Sequence, residues 1–142
     1  MIAPVNNIQF RVGVRGRASQ PGDMHPVRDM ETFSVNFNNG IESFYPIDGN
    51  GWARRLMTSK SLTISLSGKR NYLDRGNNYV AGLAYLSGEQ TYSILEATFP
   101  NGDTLRMNCC INVTSSEGGA ATEIAGLDFE CISDGAPMYI AG

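Results

Sequence analysis

The sequence predicts an all-β domain: an antiparallel β-sandwich or barrel of two packed sheets, with one short flanking α-helix and long extended loops or arms. Three observations predict it. Apolar and polar residues alternate with a period of two through most of the chain, as in half-buried strands. Turn chemistry interrupts that alternation at Asn38-Asn39-Gly40 and Asn101-Gly102. Only one segment, Asn77 to Gly88, carries helical spacing.

The first strand is read in Ile8 to Arg15, where Ile8, Phe10, Val12 and Val14 share a face and Gln9, Arg11 and Arg15 the other. Thr32 to Phe37 repeats the pattern and the Asn-Asn-Gly turn stops it. Ser61 to Ser67 is the cleanest case, with Leu62, Ile64 and Leu66 inward between serines and a threonine. Pro100-Asn101-Gly102-Asp103 reads as a tight hairpin, because glycine accepts positive φ and Asn is next best. Leu95, Ala97 and Phe99 line one face before it. After it, Leu105, Met107, Cys109, Ile111 and Val113 line one face, with Arg106, Asn108, Cys110 and Asn112 opposite. A Gly/Ser/Ala loop, Ser115 to Ala121, leads to a last strand with Ala125, Leu127, Phe129 and Cys131 inward.

The helix is placed at residues 77–87, with Tyr79, Val80, Leu83 and Leu86 on its packed face, an Asn cap before it and Gly88 as its C′ glycine. So short a helix must be held by packing.

The chain is read as one domain, 1–142, with residues 1–30 as an N-terminal strand and arm, 40–60 as a long contact loop and 134–142 as a C-terminal arm. The Gly40 to Lys60 stretch is unusually apolar for a solvated loop. Trp52-Ala53-Arg54-Arg55-Leu56 can plug a barrel end or form an interaction arm, and the arm is favoured because Trp, Tyr and Arg dominate interface hot spots. The subunit-contact candidates are Phe44, Tyr45, Ile47, Trp52, Arg54, Arg55 and Leu56, together with Met138, Tyr139 and Ile140 of the tail.

At 15.4 kDa a compact monomer exposes roughly 7,200 Å², so a core needs no staples. Charged residues are 18% and net charge is −3, which argues against binding nucleic acid by charge alone. No apolar run approaches the ~18 residues of a membrane span, and the start shows neither basic n-region nor apolar h-region, so no signal peptide and no membrane are expected. Three cysteines, two of them adjacent (Cys109 and Cys110, with Cys131), are expected as reduced thiols.

No catalytic, cofactor or metal site is expected. His25 is the only histidine, and its grouping with Asp23, Asp29 and Glu31 matches no ligand spacing. Asp128 and Glu130 project from one strand face about 7 Å apart; such pairs do glycoside chemistry, but acids on an outward face are usually just solvated. Arg11, Arg15 and Arg17 lie along the first strand and its extension without interleaved aromatics. Ion pairs with this chain's own acids or with a neighbouring subunit suit them better than phosphates.

The run Gly51-Trp52-Ala53-Arg54-Arg55-Leu56 leading into Lys60-Ser61-Leu62-Thr63-Ile64-Ser65-Leu66-Ser67-Gly68-Lys69-Arg70 resembles the tail tube proteins (major tail proteins) of tailed bacteriophages. So do the segment from Asp74 to Leu86 and the hairpin Phe99-Pro100-Asn101-Gly102-Asp103. The likeness is nearest to tubes from phages of Gram-positive hosts and covers roughly residues 31 to 133. It implies two packed sheets with one helix. It also implies homo-oligomeric hexameric rings stacked into a hollow virion tube and assembled in the host cytoplasm around a tape-measure protein. Terminator and tail tip or baseplate proteins would end the tube, and genomic DNA would cross the lumen without specific binding. By position, Gly40 to Lys60 becomes the loop that contacts neighbours. Glu96, Asp128 and Glu130, outward on their strands, are the lumen candidates.

Open sheet edges fit that picture, since closing rings pairs them between identical subunits. A slightly acidic chain fits it too, because a basic bore would hold phosphates. Two alternatives stay open: the inner tube of a contractile tail or phage-like injection particle, and a monomeric ligand- or receptor-binding sandwich of a tail tip.

Overall fold

The computed structural model describes residues 1–142. Eight strands follow in order: β1 (Gln9–Gly13), β2 (Met24–Pro26), β3 (Met30–Phe44), β4 (Arg54–Lys69), β5 (Tyr92–Thr98), β6 (Thr104–Ser116), β7 (Gly126–Ser133) and β8 (Met138–Ile140). One α-helix, α1 (Arg75–Gly82), sits between β4 and β5. All pairings are antiparallel, in the order β2-β1-β5-β6-β7-β4-β3, with β8 added to β6.

The all-β expectation holds, and the strands form one continuous, unclosed sheet of eight. Its halves pack on each other because the sheet curls: Phe10 of β1 meets Phe33 of β3, with ring centroids 4.8 Å apart. Alternation decides the core. Leu62, Ile64 and Leu66 of β4, Leu95 and Ala97 of β5, Leu105 to Ile111 of β6 at every second position, and Leu127, Phe129 and Cys131 of β7 form one buried cluster. At about 25 cal/mol per Å² of apolar surface, this cluster is the main stabilising term.

The helix begins earlier than its expected start at 77. Asp74 is the N-cap, its carboxylate accepting the Asn77 N–H at 3.0 Å. Asn77, read as part of an Asn cap, is instead a fully buried helical residue with every side-chain valence used. Its amide oxygen accepts from Arg70 Nη1 and the Asn71 N–H, and its amide nitrogen donates to the Arg28 and Lys69 carbonyls. Val80, Ala81 and Leu83 enter the core, whereas Leu86 lies beyond a closing 3-10 turn, Leu83–Tyr85, and is exposed. Gly88 does take positive φ, but as the start of a separate turn rather than as the helix C′ residue.

The turn expected at Asn38-Asn39-Gly40 is absent. β3 runs straight through it, pairing Asn39 with Lys60 and Gly40 with Ser59. The 40–60 loop is therefore a hairpin, and its strands leave the body beyond the Phe37–Leu62 pair. At ~3.3 Å per residue it projects about 25 Å. The total exposed surface of 9107 Å² exceeds the compact-monomer value by roughly 1,900 Å², consistent with an arm that nothing covers.

Candidate assembly surfaces

The arm is built by register and by its tip. Ile41 pairs with Met57, Glu42 with Leu56 and Phe44 with Arg54, with an irregularity at Gly40/Ile41 that puts an extra residue, Thr58, on β4. At the tip Asn50 and Gly51 both take positive φ, and the Trp52 N–H donates to the Gly49 carbonyl at 3.0 Å. That geometry is a type I′ turn, set within the loop of residues 45–53 that links β3 to β4. Every apolar contact candidate here is exposed: Phe44, Tyr45, Ile47, Leu56 and Trp52, the last at 79%. Arg54 lies over the Phe44 ring at 5.7 Å, while Arg55 points to solvent. Val35, Phe37, Ile41 and Met57 extend the exposed apolar surface toward the body. Tyr72, Leu73 and Tyr85, around α1, form further exposed apolar positions that no periodicity pointed out.

The tail is not a free arm within the single chain. Met138 to Ile140 form β8 on the edge of β6, opposite Arg106 to Thr104. Tyr139 stacks on Phe99 at 6.1 Å, and its hydroxyl donates to Asp103 Oδ2 at 2.8 Å. The Asp103 carboxyl is held below its usual range, first by the Gly142 N–H and then by this hydroxyl, and the Tyr139 phenol is pushed up by the same bond. All three β8 side chains remain exposed.

The outward face of the β3–β4–β7 half is lined mainly by hydroxyls and amides. Ser34 pairs across with Ser65, Asn36 with Thr63 and Asn38 with Ser61. Asp128 and Glu130 of β7 lie on this face, whereas Glu96 of β5 points outward from the opposing half. Arg106 Nη2 reaches Glu96 at 2.7 Å, the Ser67 hydroxyl donates to Asp128 at 2.5 Å, and Asn112 donates to Glu130 at 2.9 Å.

The remaining candidates disperse. Arg15 pairs with Asp23 at 3.4 Å; Arg17 pairs with Asp134 at 2.6 Å and lies 3.9 Å over the Tyr92 ring. Asp29 accepts from Asn71, and Glu31 pairs with Lys69. Asp23, His25, Asp29 and Glu31 do not converge on a point, and no three His, Cys, Asp or Glu residues group to hold a metal. Cys109 and Cys131 are buried in the core; the Cys131 thiol is pushed well up by its bond to Cys109 and by burial. The half-buried Cys110 Sγ lies 3.2 Å from the Thr91 hydroxyl.

No family model matches the chain, and no curated protein matches it in sequence. Solved structures do match in shape. A chain from the tail of the empty gene transfer agent particle, solved with C6 helical symmetry, superposes with a TM-score of 0.76 at 15% identity, over 99% of this chain and 100% of that one. The fold is one seen in phage-like tails. A chain of the native gene transfer agent virion gives 0.71 at 16% identity over 99% and 100%. A chain of an extracellular contractile injection system, the PVC sheath-tube complex in its extended state, gives 0.64 at 15% over 99% and 93%. These tail-particle folds include no likeness that singles out phages of Gram-positive hosts.

Proposed function

We propose that this chain is a non-enzymatic structural subunit of a phage-like tail tube. Copies assemble into hexameric rings that stack into a hollow tube around a tape-measure protein, capped by terminator and tip or baseplate proteins. DNA then crosses the lumen without specific binding. The exposed apolar hairpin arm carries this reading: a surface of that extent on a monomer marks an interaction site, and a heterologous contact propagates until something stops it. Shape likeness over essentially the whole chain supports it. The hydroxyl- and amide-lined face suits a bore, with Asp128 and Glu130 on it, because it offers phosphates few free cations. Met138 and Ile140 supply further contact surface. Assembly in the host cytoplasm and incorporation into a virion tail follow from this role.

A second reading, the inner tube of a contractile injection particle, is favoured by the likeness to the PVC sheath-tube complex and, at TM-score 0.63, to a chain of the anti-feeding prophage tube cap. The two differ in whether a sheath wraps the outside.

Negative-stain microscopy of the purified chain tests both. Rings or tubes are expected, and removal of Phe44 to Arg55 should leave a folded domain by circular dichroism that no longer polymerises. A strictly monomeric species at all concentrations contradicts the reading, as does unfolding on loss of the arm.

A further inference from the structure

The long β3–β4 ladder carries exposed apolar surface at both ends. One end is the arm, with Tyr45, Ile47 and Trp52 solvated at its tip. The other lies beyond the Met30–Gly68 pair, where residues 29–31, 69–73 and 124 surround a shallow groove of about 640 Å³. Tyr72, Leu73 and Ile124 line it, Leu73 at 97% exposure and Ile124 at 68%. The two surfaces cannot meet within one chain, because about 45 Å of paired strand, at ~3.3 Å per residue, holds them apart. Their unpaired charges are opposite. The groove's cations are engaged, Lys69 by Glu31 at 3.3 Å and Arg70 by Glu117 at 3.4 Å. Its exposed Asp29 accepts from the neutral Asn71 amide and pairs with no cation. On the arm, Arg54 and Arg55 pair with no acid of their own chain.

Resting on the reading that copies of this chain stack through the arm, we propose that the groove of Tyr72, Leu73 and Ile124 receives the arm tip of a second copy. Ile47 and Trp52 cover the three apolar side chains, and Arg55 comes to Asp29. Aromatic residues and arginine are what the centres of protein interfaces favour, and contiguous apolar surface on a single chain marks such a contact. Arm and groove are different surfaces, so the contact is heterologous. Each docked copy still offers a free arm or a free groove. Because the two lie at opposite ends of one ladder, the series of contacts extends along it and does not close into a pair.

Two dead-end variants of the full chain test it. Leu73→Asp spoils the groove and leaves the arm intact; Ile47→Asp spoils the arm and leaves the groove intact. Both positions are solvated in the single chain, so thermal melts should match the unsubstituted protein, and Ile124→Asp stands in if Leu73→Asp melts early. Each variant alone should need a concentration higher by about tenfold or more to form filaments, since docking would bury an unpaired carboxylate. Prepared separately and then mixed, the two should give a species of twice the mass of either, by light scattering, and grow no further: one sound arm meets one sound groove. Asp29→Asn, which suits the positive φ of this residue, should raise the threshold about threefold, as loss of an exposed ion pair does, and should add nothing to Arg55→Gln. Leu73→Asp and Ile124→Asp chains that assemble as readily as the unsubstituted chain, or a mixture that keeps the mass of its parts, overturn the groove as receptor, while filaments of the unsubstituted chain leave the tube reading standing. An unsubstituted chain that stays monomeric overturns both.

Discussion

The rings of Phe10 and Phe33 meet edge to face at 70°, although five strand pairings separate β1 from β3 along the sheet. This contact fastens the curl. The seam it bridges is otherwise a groove of about 520 Å³ between β1 and β3, lined in part by Ile8, Val27 and Met30. Aromatic pairs of this geometry contribute about 0.5–1.5 kcal/mol beyond area burial. A double-mutant cycle with Phe10→Leu and Phe33→Leu, read by urea unfolding, should show a coupling of that size. Strict additivity would mean that the seam is closed by other contacts.

Asn77 ties α1 to two segments that precede it. Asn77→Ala leaves the Arg28 and Lys69 carbonyls and the Asn71 N–H without their partner, and should cost about 2–4 kcal/mol. Chemical denaturation measures it. A loss under 1 kcal/mol would show that water replaces those bonds.

Two glycines of α1 should respond in opposite directions. A Cβ on Gly76 would run into the Pro26 carbonyl of β2, whereas one on Gly82 meets nothing within 4 Å. Gly76→Ala should destabilise by about 1–3 kcal/mol through overpacking; Gly82→Ala should stabilise by about 0.5–1 kcal/mol through helix propensity. Thermal melts of the pair decide it, and equal shifts would contradict the close approach of α1 to β2.

Tail docking should depend on acid. Asp103 is lowered from 3.8 by bonds that the docked tail supplies, so its ionised form favours docking. That contribution is complete above the ordinary carboxylate value and is lost as pH falls through the lowered one. Hydrogen exchange of the β8 amides, corrected for intrinsic rates, should therefore accelerate below about pH 4. Asp103→Asn should remove this acid dependence and loosen the tail at neutral pH. A tail equally protected in both proteins would place its stability in the β6 pairing and the Phe99 stack alone.

Strands that bury one face were legible, because the period-two pattern records burial directly. Ser61 to Ser67, Leu95 to Phe99, Leu105 to Val113 and Ala125 to Cys131 were all read with the correct side inward. The arm was misread as a loop for the same reason: with both faces exposed there is no polar face to alternate against, and Asn38-Asn39-Gly40 mimics a turn. A usable signal was present in Asn50-Gly51, a strong hairpin dipeptide whose φ values of 51° and 86° form the tip. The helix start was displaced because Asn77 looks like a capping residue, and only the tertiary carbonyls around it explain an amide at a buried helical position. Glu96, Asp128 and Glu130 point outward from their strands as the alternation indicates, on opposing halves of the curled sheet. The Arg106–Glu96 ion pair was not visible, since it depends on the β5–β6 register.

Trp52 is the only tryptophan and sits at the arm tip, 79% exposed in the isolated chain. Its fluorescence therefore reports directly on whether the arm is covered by another copy. As concentration rises and light scattering records filaments, its emission maximum should shift to the blue in step with assembly, and in Ile47→Ala combined with Leu56→Ala the scattering should not rise and the Trp52 emission should stay at its solvated position. Filaments that form while the emission stays at its fully solvated position would show that the arm is not what joins the subunits.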